Sequence, residues 1–197
     1  MKTLNINTFK MKIKMLFLTV LFASACAQSD KKSTVNNNVG VEKTVTKPSI
    51  DIHTAVISGN IEAVKQHIKA GTNINQKEAM SGSTPLMSAT TFNKPQIAKL
   101  LIDSDADLSV KNNDGSNVLH TAAFFGRIEI VQMLIDAKAD KSLRNNFGAT
   151  PRETVMANFE EVKPFYEMLV QQLEPMGFTL DMEELKKARP VIAMMLQ

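Results

Sequence analysis

The chain has 197 residues, 44% of them hydrophobic, enough to bury one core, and nothing in it marks a second folded domain. Its formal charge of +3 is a poor guide to partners: residues 1–26 hold four lysines and no acid, and without them 19 basic residues face 20 acidic ones. A body near charge −1 with no basic stripe lacks the electrostatic footprint of a nucleic-acid binder, so no nucleic-acid partner is expected.

The first segment reads as an export signal. Lys10, Lys12 and Lys14 precede an apolar run from Met15 to Phe22 and then Ala23-Ser24-Ala25-Cys26, which gives a basic start, an apolar centre and a small-residue cleavage site. The run is shorter than the about 20 residues that a bilayer span needs. Residues 1–25 are therefore expected to be a signal peptide, with Met11 as an alternative start. The segment also resembles the lipobox of bacterial lipoproteins around Cys26, the only cysteine in the chain, with Ala23 where that motif usually has a larger aliphatic. The resemblance implies cleavage before Cys26, acylation of its thiol and new amino group, and a lipid anchor in a membrane of the bacterial periplasm or outer membrane. Ordinary cleavage near Ala25 or Ala27 with a free thiol is the alternative. From Ala27 to Pro48 the residues turn to Ser, Thr, Asn, Lys and Val around Asn36-Asn37-Asn38, so residues 26–48 read as the lipidated cysteine and a flexible tether.

From Ile50 one pattern recurs. The first copy reads Ile52-His53-Thr54-Ala55, then Gly59-Asn60-Ile61-Glu62-Ala63-Val64, then Gly71. The second reads Thr84-Pro85-Leu86-Met87-Ser88-Ala89, then Ile97, Leu100, Leu101 and Asp105; the third reads Leu119-His120-Thr121-Ala122-Ala123, then Gly126, Ile130, Val131, Leu134 and Lys138. Ile52, Leu86, Leu119 and Arg152 are spaced 34, 33 and 33 residues apart. A period near 33 with a turn and two helical segments per unit resembles the ankyrin repeat family. The fold expected is all-α: a solenoid of three clear repeats over 49–160 with a degenerate fourth unit, and a helical C-terminal cap over 161–197. Small residues such as Ala55, Ala89 and Ala122 let first helices pack closely, while the second helices carry apolar stripes that only a neighbouring unit can cover. Gly59, Asn93 and Gly126 are expected to take positive φ between the helices, as are Gly71, Asp105 and Lys138 at the ends of the second helices. The family's Thr-Pro-Leu-His run is incomplete in every unit, since His53 lacks the threonine, Thr84 lacks the histidine, and His120 has Asn117 in the threonine place.

The fourth unit opens with Thr150-Pro151 and then has Arg152-Glu153 where Leu-His would stand, as a polar terminal cap would. Pro164 is expected in the first turn of the next helix, with Phe165, Met168, Leu169 and Leu173 on its apolar side. Asp181 with Glu184 marks another helix start, Pro190 is expected to end that helix, and the tail from Val191 to Leu196 to cover the last repeat or to dock on a partner.

Chemistry is scarce in this sequence. His53 and His120 hold structural positions in the repeat, His67 replaces a leucine and is expected on an exposed outer side, and no His/Cys/Asp/Glu group has zinc-ligand spacing. Asp103, Asp105 and Asp107 read as a solvated loop, lacking the glycine and distal glutamate of a calcium loop. No catalytic residue, metal or cofactor is expected, and the protein is read as a non-enzyme. What remains is surface. The ankyrin resemblance implies binding through the concave side, made by turn tips and first-helix ends; mapped here these include Ile57, Thr91, Phe92, Phe124 and Phe125 on the helices and Met80, Asn113 and Phe147 on the tips. Such an aromatic cluster suits an interface, the alternative being that one or two of the three rings pack inward between units. The reading is a monomeric, non-catalytic interaction module of the bacterial envelope that binds, stabilises or inhibits an unidentified protein. A ligand site or enzyme in the C-terminal helices and a purely structural envelope lipoprotein are the rival readings.

Overall fold

The computed structural model describes residues 48–197, so the expected signal peptide, the lipidation at Cys26 and all but the last residue of the 26–48 tether lie outside the described residues. Every regular element among them is a helix: α1 Ile52–Ile57, α2 Ile61–Lys69, α3 Pro85–Thr91, α4 Pro95–Ile102, α5 Val118–Phe124, α6 Ile128–Asp136, α7 Pro151–Thr154, α8 Phe159–Leu173 and α9 Met182–Met195, with a single 3-10 turn at Glu174–Met176 between the last two. None of these helices is long and apolar enough to cross a membrane.

The local sequence starts each first helix. Asp51 accepts from the amides of His53 and Thr54, Thr84 from Met87, Asn117 from His120 and Thr150 from Glu153, so each opening turn has a side-chain cap. Aspartate and asparagine thus replace the missing threonines without loss of capping. The turns between helices need left-handed backbone: Asn93 has φ 51°, against 75° at Gly59 and 70° at Gly126, and Asp105 and Lys138 have φ 61° and 60°, against 68° at Gly71. All six expected positive-φ positions are found.

First helices pack on first helices (α1, α3, α5, α7) and second helices on second helices (α2, α4, α6), and between the layers lies one core in which Ile52, Val64, Leu86, Leu101, Leu119 and Leu134 are at most 1% exposed. Burying such side chains is worth about 1.5 to 3 kcal/mol each relative to exposure. The fourth unit differs from the expected plan. Its second helix is α9, which lies against α6 as α6 lies against α4; α8 is an insertion between the unit's two helices.

Two prolines overturn expectations. Pro164 stands at the sixth residue of α8, not in its first turn, and Pro190 lies inside α9 without ending it. An interior proline costs about 3 kcal/mol of helix stability through the lost N–H and the clash with the preceding turn. Both rings face solvent, and buried residues beyond each proline offset the cost: Tyr166 in α8, and Ile192 and Leu196 at the end of α9. The tail does cover the last repeat, where Ile192 and Leu196 join the core. Arg152 Nε donates to the Ala193 carbonyl at 3.0 Å and Lys141 Nζ to the Met195 carbonyl at 3.0 Å, so basic side chains satisfy the closing turn.

His67 is a further correction. It is fully buried, its Nε2 donating to the Ile50 carbonyl at 2.8 Å and its Nδ1 lying 3.1 Å from the Thr72 hydroxyl. Its leucine position packs against the chain entering at Ile50, and an imidazole fits because a backbone carbonyl is there to accept from it.

Candidate protein-binding surface

The turn tips are tied into one ridge. Asn113 donates its backbone N–H to the Ser81 carbonyl at 2.9 Å and its side-chain amide to the Met80 carbonyl at 3.0 Å. One unit on, Asn146 repeats both bonds, to Asp114 at 2.9 Å and Asn113 at 3.1 Å. Asparagine suits this position because one residue supplies a backbone and a side-chain donor together.

At the first tip Glu78 fills the acceptor role with its own carboxylate. One oxygen accepts from Met80 N at 2.7 Å, and the other from Ser81 N at 2.6 Å, Ser83 N at 3.2 Å and the Ser81 hydroxyl. Burial pushes this carboxyl's pKa up, but those donors outweigh it and leave the pKa below the usual value. Met80, at the crest, is 85% exposed. Asn113 is exposed, and Phe147 is half-buried behind Asn145, whose side chain accepts from its amide at 3.0 Å.

Histidines link the ridge to the helices beneath it. His53 Nε2 lies 3.2 Å from the Gln76 carbonyl and His120 Nε2 2.9 Å from the Ala149 carbonyl. Burial lowers the pKa of His120 against the opposing pull of the Ala149 carbonyl. These contacts fit the structural role expected for both residues.

On the helix side, Ile57 and Thr91 are half-buried, and the three phenylalanines meet rings of their own chain. Phe124 lies 4.6 Å from Tyr166 and 5.9 Å from Phe165 between ring centres, and Phe178 sits edge-on to both Phe125 at 5.5 Å and Phe92 at 6.0 Å. Phe125 is 9% exposed as a result. The insertion thus folds back over the first-helix ends of the second and third units. Tyr166 donates its hydroxyl to the Phe124 carbonyl at 2.8 Å, and Arg189 of α9 donates to the Tyr166 oxygen at 3.0 Å and to the Ala157 carbonyl at 2.8 Å. Burial pushes the Tyr166 phenol up to about 12 against the opposing pull of Arg189.

The sequence pattern alone does not single out Tyr166, Phe178 and Arg189. The signal that could have found them is unit length: three residues separate the two helices of each of the first three units, whereas residues 155–181 lie between α7 and α9.

A cleft of about 180 Å³ lies beside the insertion, lined by Asn93, Gly126, Arg127, Ile128, Glu129, Ile130 and Glu184. Burial lowers the Arg127 guanidinium to about 10 while Glu184 raises it. Two carboxylates, Glu129 and Glu184, face the one guanidinium of Arg127, and no nucleophile with a paired base lines the cleft. Among the described residues no three His, Cys, Asp or Glu side chains are grouped to hold a metal.

Stacked helix pairs with a hydrogen-bonded ridge of tips define the ankyrin-repeat solenoid, and comparison with known proteins agrees. The family model for ankyrin repeats matches residues 52–145 in three copies. The human and the mouse protein phosphatase 1 regulatory subunit 27 are each 44% identical to the chain over 64 residues, 32% of this chain and 41% of theirs. The chain thus spans well under half the length of these curated relatives. Among solved structures the ankyrin repeat domain of Bcl-3, described as a unique member of the IkappaB protein family, superposes with a TM-score of 0.52 at 28% identity, covering 59% of this chain and 50% of that one.

Proposed function

We propose that this protein is a non-catalytic, monomeric protein-interaction module, exported and lipid-anchored through Cys26 in the bacterial envelope, which binds a partner protein and stabilises or inhibits it. The observation that carries the binding reading is the tip ridge, a row of loops fixed by repeated asparagine bonds with Met80 presented at its crest. Fixed loops lose little conformational freedom when a partner docks. The similarity to proteins named as phosphatase regulatory subunits supports a role exerted on another protein. The residues proposed for contact are Met80, Asn113 and Phe147 on the ridge and Ile57 and Thr91 beside it.

The test is crosslinking from envelope fractions with wild type and a Met80→Ala, Asn113→Ala double variant. Loss of a stoichiometric crosslink in the variant with an unchanged melting temperature supports the reading; an equal crosslink in both moves the contact off the ridge. Location is tested separately, because Cys26→Ser releases a lipid-anchored protein into the soluble fraction and leaves an otherwise retained one in place.

A further inference from the structure

The insertion sits on the repeats as a bound ligand would. Phe159 and Tyr166, seven residues apart and therefore on one face of α8, stack with each other at 6.4 Å, and Tyr166 covers Phe124. Lys186 of α9 pairs with Glu160 at 2.8 Å and stands 5.7 Å above the Phe159 ring. Yet of the fifteen residues of α8 only Tyr166 is buried, while Val162, Phe165, Met168, Leu169 and Leu173 are half-exposed. Helix α8 belongs to neither layer of the stack, which closes through α7 and α9. Pro164 also deprives it of the hydrogen bond to the Glu160 carbonyl. A helix with few buried contacts and a missing internal bond opens at lower free energy than the repeats beneath it.

We infer that the surface of Phe124 flanked by Lys186 and Arg189 is a helix-binding groove, that α8 is its resident occupant while Phe178 stays over Phe92 and Phe125, and that the partner it fits is an amphipathic helix with two aromatic residues seven apart and an acid following the first. The second aromatic takes the place of Tyr166 on Phe124, the first that of Phe159 beneath Lys186 and Arg189, and the acid that of Glu160 against Lys186. This rests on the protein-binding reading above and names the chemistry of the partner. Binding in the groove and docking of α8 exclude each other, so the apparent affinity for a partner helix is reduced by the fraction of molecules with α8 seated.

The probe is a fluorescent synthetic peptide of residues 157–176, titrated by anisotropy onto the full chain. Tyr166→Ala in the protein, which unseats α8, is expected to bind the peptide about tenfold more tightly than wild type does. Glu160→Ala, an exposed change that leaves Lys186 intact, is expected to shift affinity the same way by less, and serves if Tyr166→Ala loses its helical signal. Pro164→Ala, which restores the missing bond, is expected to weaken binding. A peptide with alanine at Phe159 and Tyr166 is expected not to bind. In wild type the α8 amides are expected to exchange hydrogen faster than those of α5. Equal peptide affinity across the variants, or α8 amides that exchange only with the repeats, overturns the inference. Neither result touches ridge crosslinking at Met80 and Asn113, so failure of the groove and failure of the binding reading are separable.

Discussion

The Tyr166 hydroxyl donates to the Phe124 carbonyl at 2.8 Å across 42 residues of sequence, and the same oxygen accepts from Arg189 at 3.0 Å. One phenol therefore joins the third repeat, the insertion and the last helix. Its bond to Phe124 also satisfies a carbonyl at the end of a first helix, where no helical donor follows.

Tyr166→Phe removes both bonds and leaves the ring. The loss expected is about 1 to 3 kcal/mol, because Arg189, 3% exposed, is left with one fewer acceptor. The phenol's raised pKa adds a pH signature. Unfolded tyrosine ionises near 10 whereas the folded one holds its proton to about 12. Tyr166 therefore contributes stability that is whole below pH 10 and is lost as the pH rises from 10 towards 12. Denaturant melts of the two proteins across that window are expected to converge, since other alkaline titrations are common to both. A constant gap would place the phenol in contact with water.

Lys138→Gly is expected to stabilise the protein by about 0.5 to 1 kcal/mol, because lysine at φ 60° meets a steric cost that glycine avoids. Lys138 is exposed, so little packing is forfeited. A thermal melt showing no gain would mean that its side chain has an attachment outweighing the backbone strain.

Gly126 and Gly71 share a left-handed backbone but not their surroundings. A Cβ at Gly126 would come within 2.8 Å of Leu185 Cδ1 and 3.3 Å of Ala188 Cβ, whereas nothing lies within 4 Å of one at Gly71. Gly71→Ala is expected to cost about 1 to 2 kcal/mol from the backbone alone. Gly126→Ala adds an overpacking cost of about 1 to 3 kcal/mol by pushing α9 off the third unit. Equal losses in chemical denaturation would show that α9 does not sit on that turn.

How much of this was legible in the sequence follows from what a repeat can signal. Asn93, Asp105 and Lys138 could be assigned positive φ because the period set them beside Gly59, Gly71 and Gly126, and the apolar stripes marked which helix faces meet. The place of His67 is not legible, because its partner is the Ile50 carbonyl, a backbone atom that no residue pattern registers. Pro164 and Pro190 obey no rule for isolated helices, because tertiary burial of Tyr166 and Ile192 overrides it. The aromatic residues at 92, 124 and 125 stood out as a cluster, but the pattern of Phe165, Met168 and Leu169 gave the apolar side of α8 without saying which surface it would cover.

Glu78 makes the final prediction, since the first tip depends on a charge. Its folded pKa lies below the ordinary carboxylate value, so its contribution is present above the unfolded pKa and is lost as the pH falls through the folded one. The carboxylate is half-buried and partly screened, and a local readout is therefore the sensitive one. Amides of Met80, Ser81 and Ser83, all held by this side chain, are expected to lose protection as the pH falls below the ordinary glutamate value of 4.5, relative to that of Asn146, which binds the backbone at Asp114. Glu78→Gln is expected to show that loss already at neutral pH, because an amide presents one acceptor oxygen where the carboxylate presents two. Unchanged protection in the variant would mean that the tip holds its shape through Asn113 alone, with Glu78 a passenger.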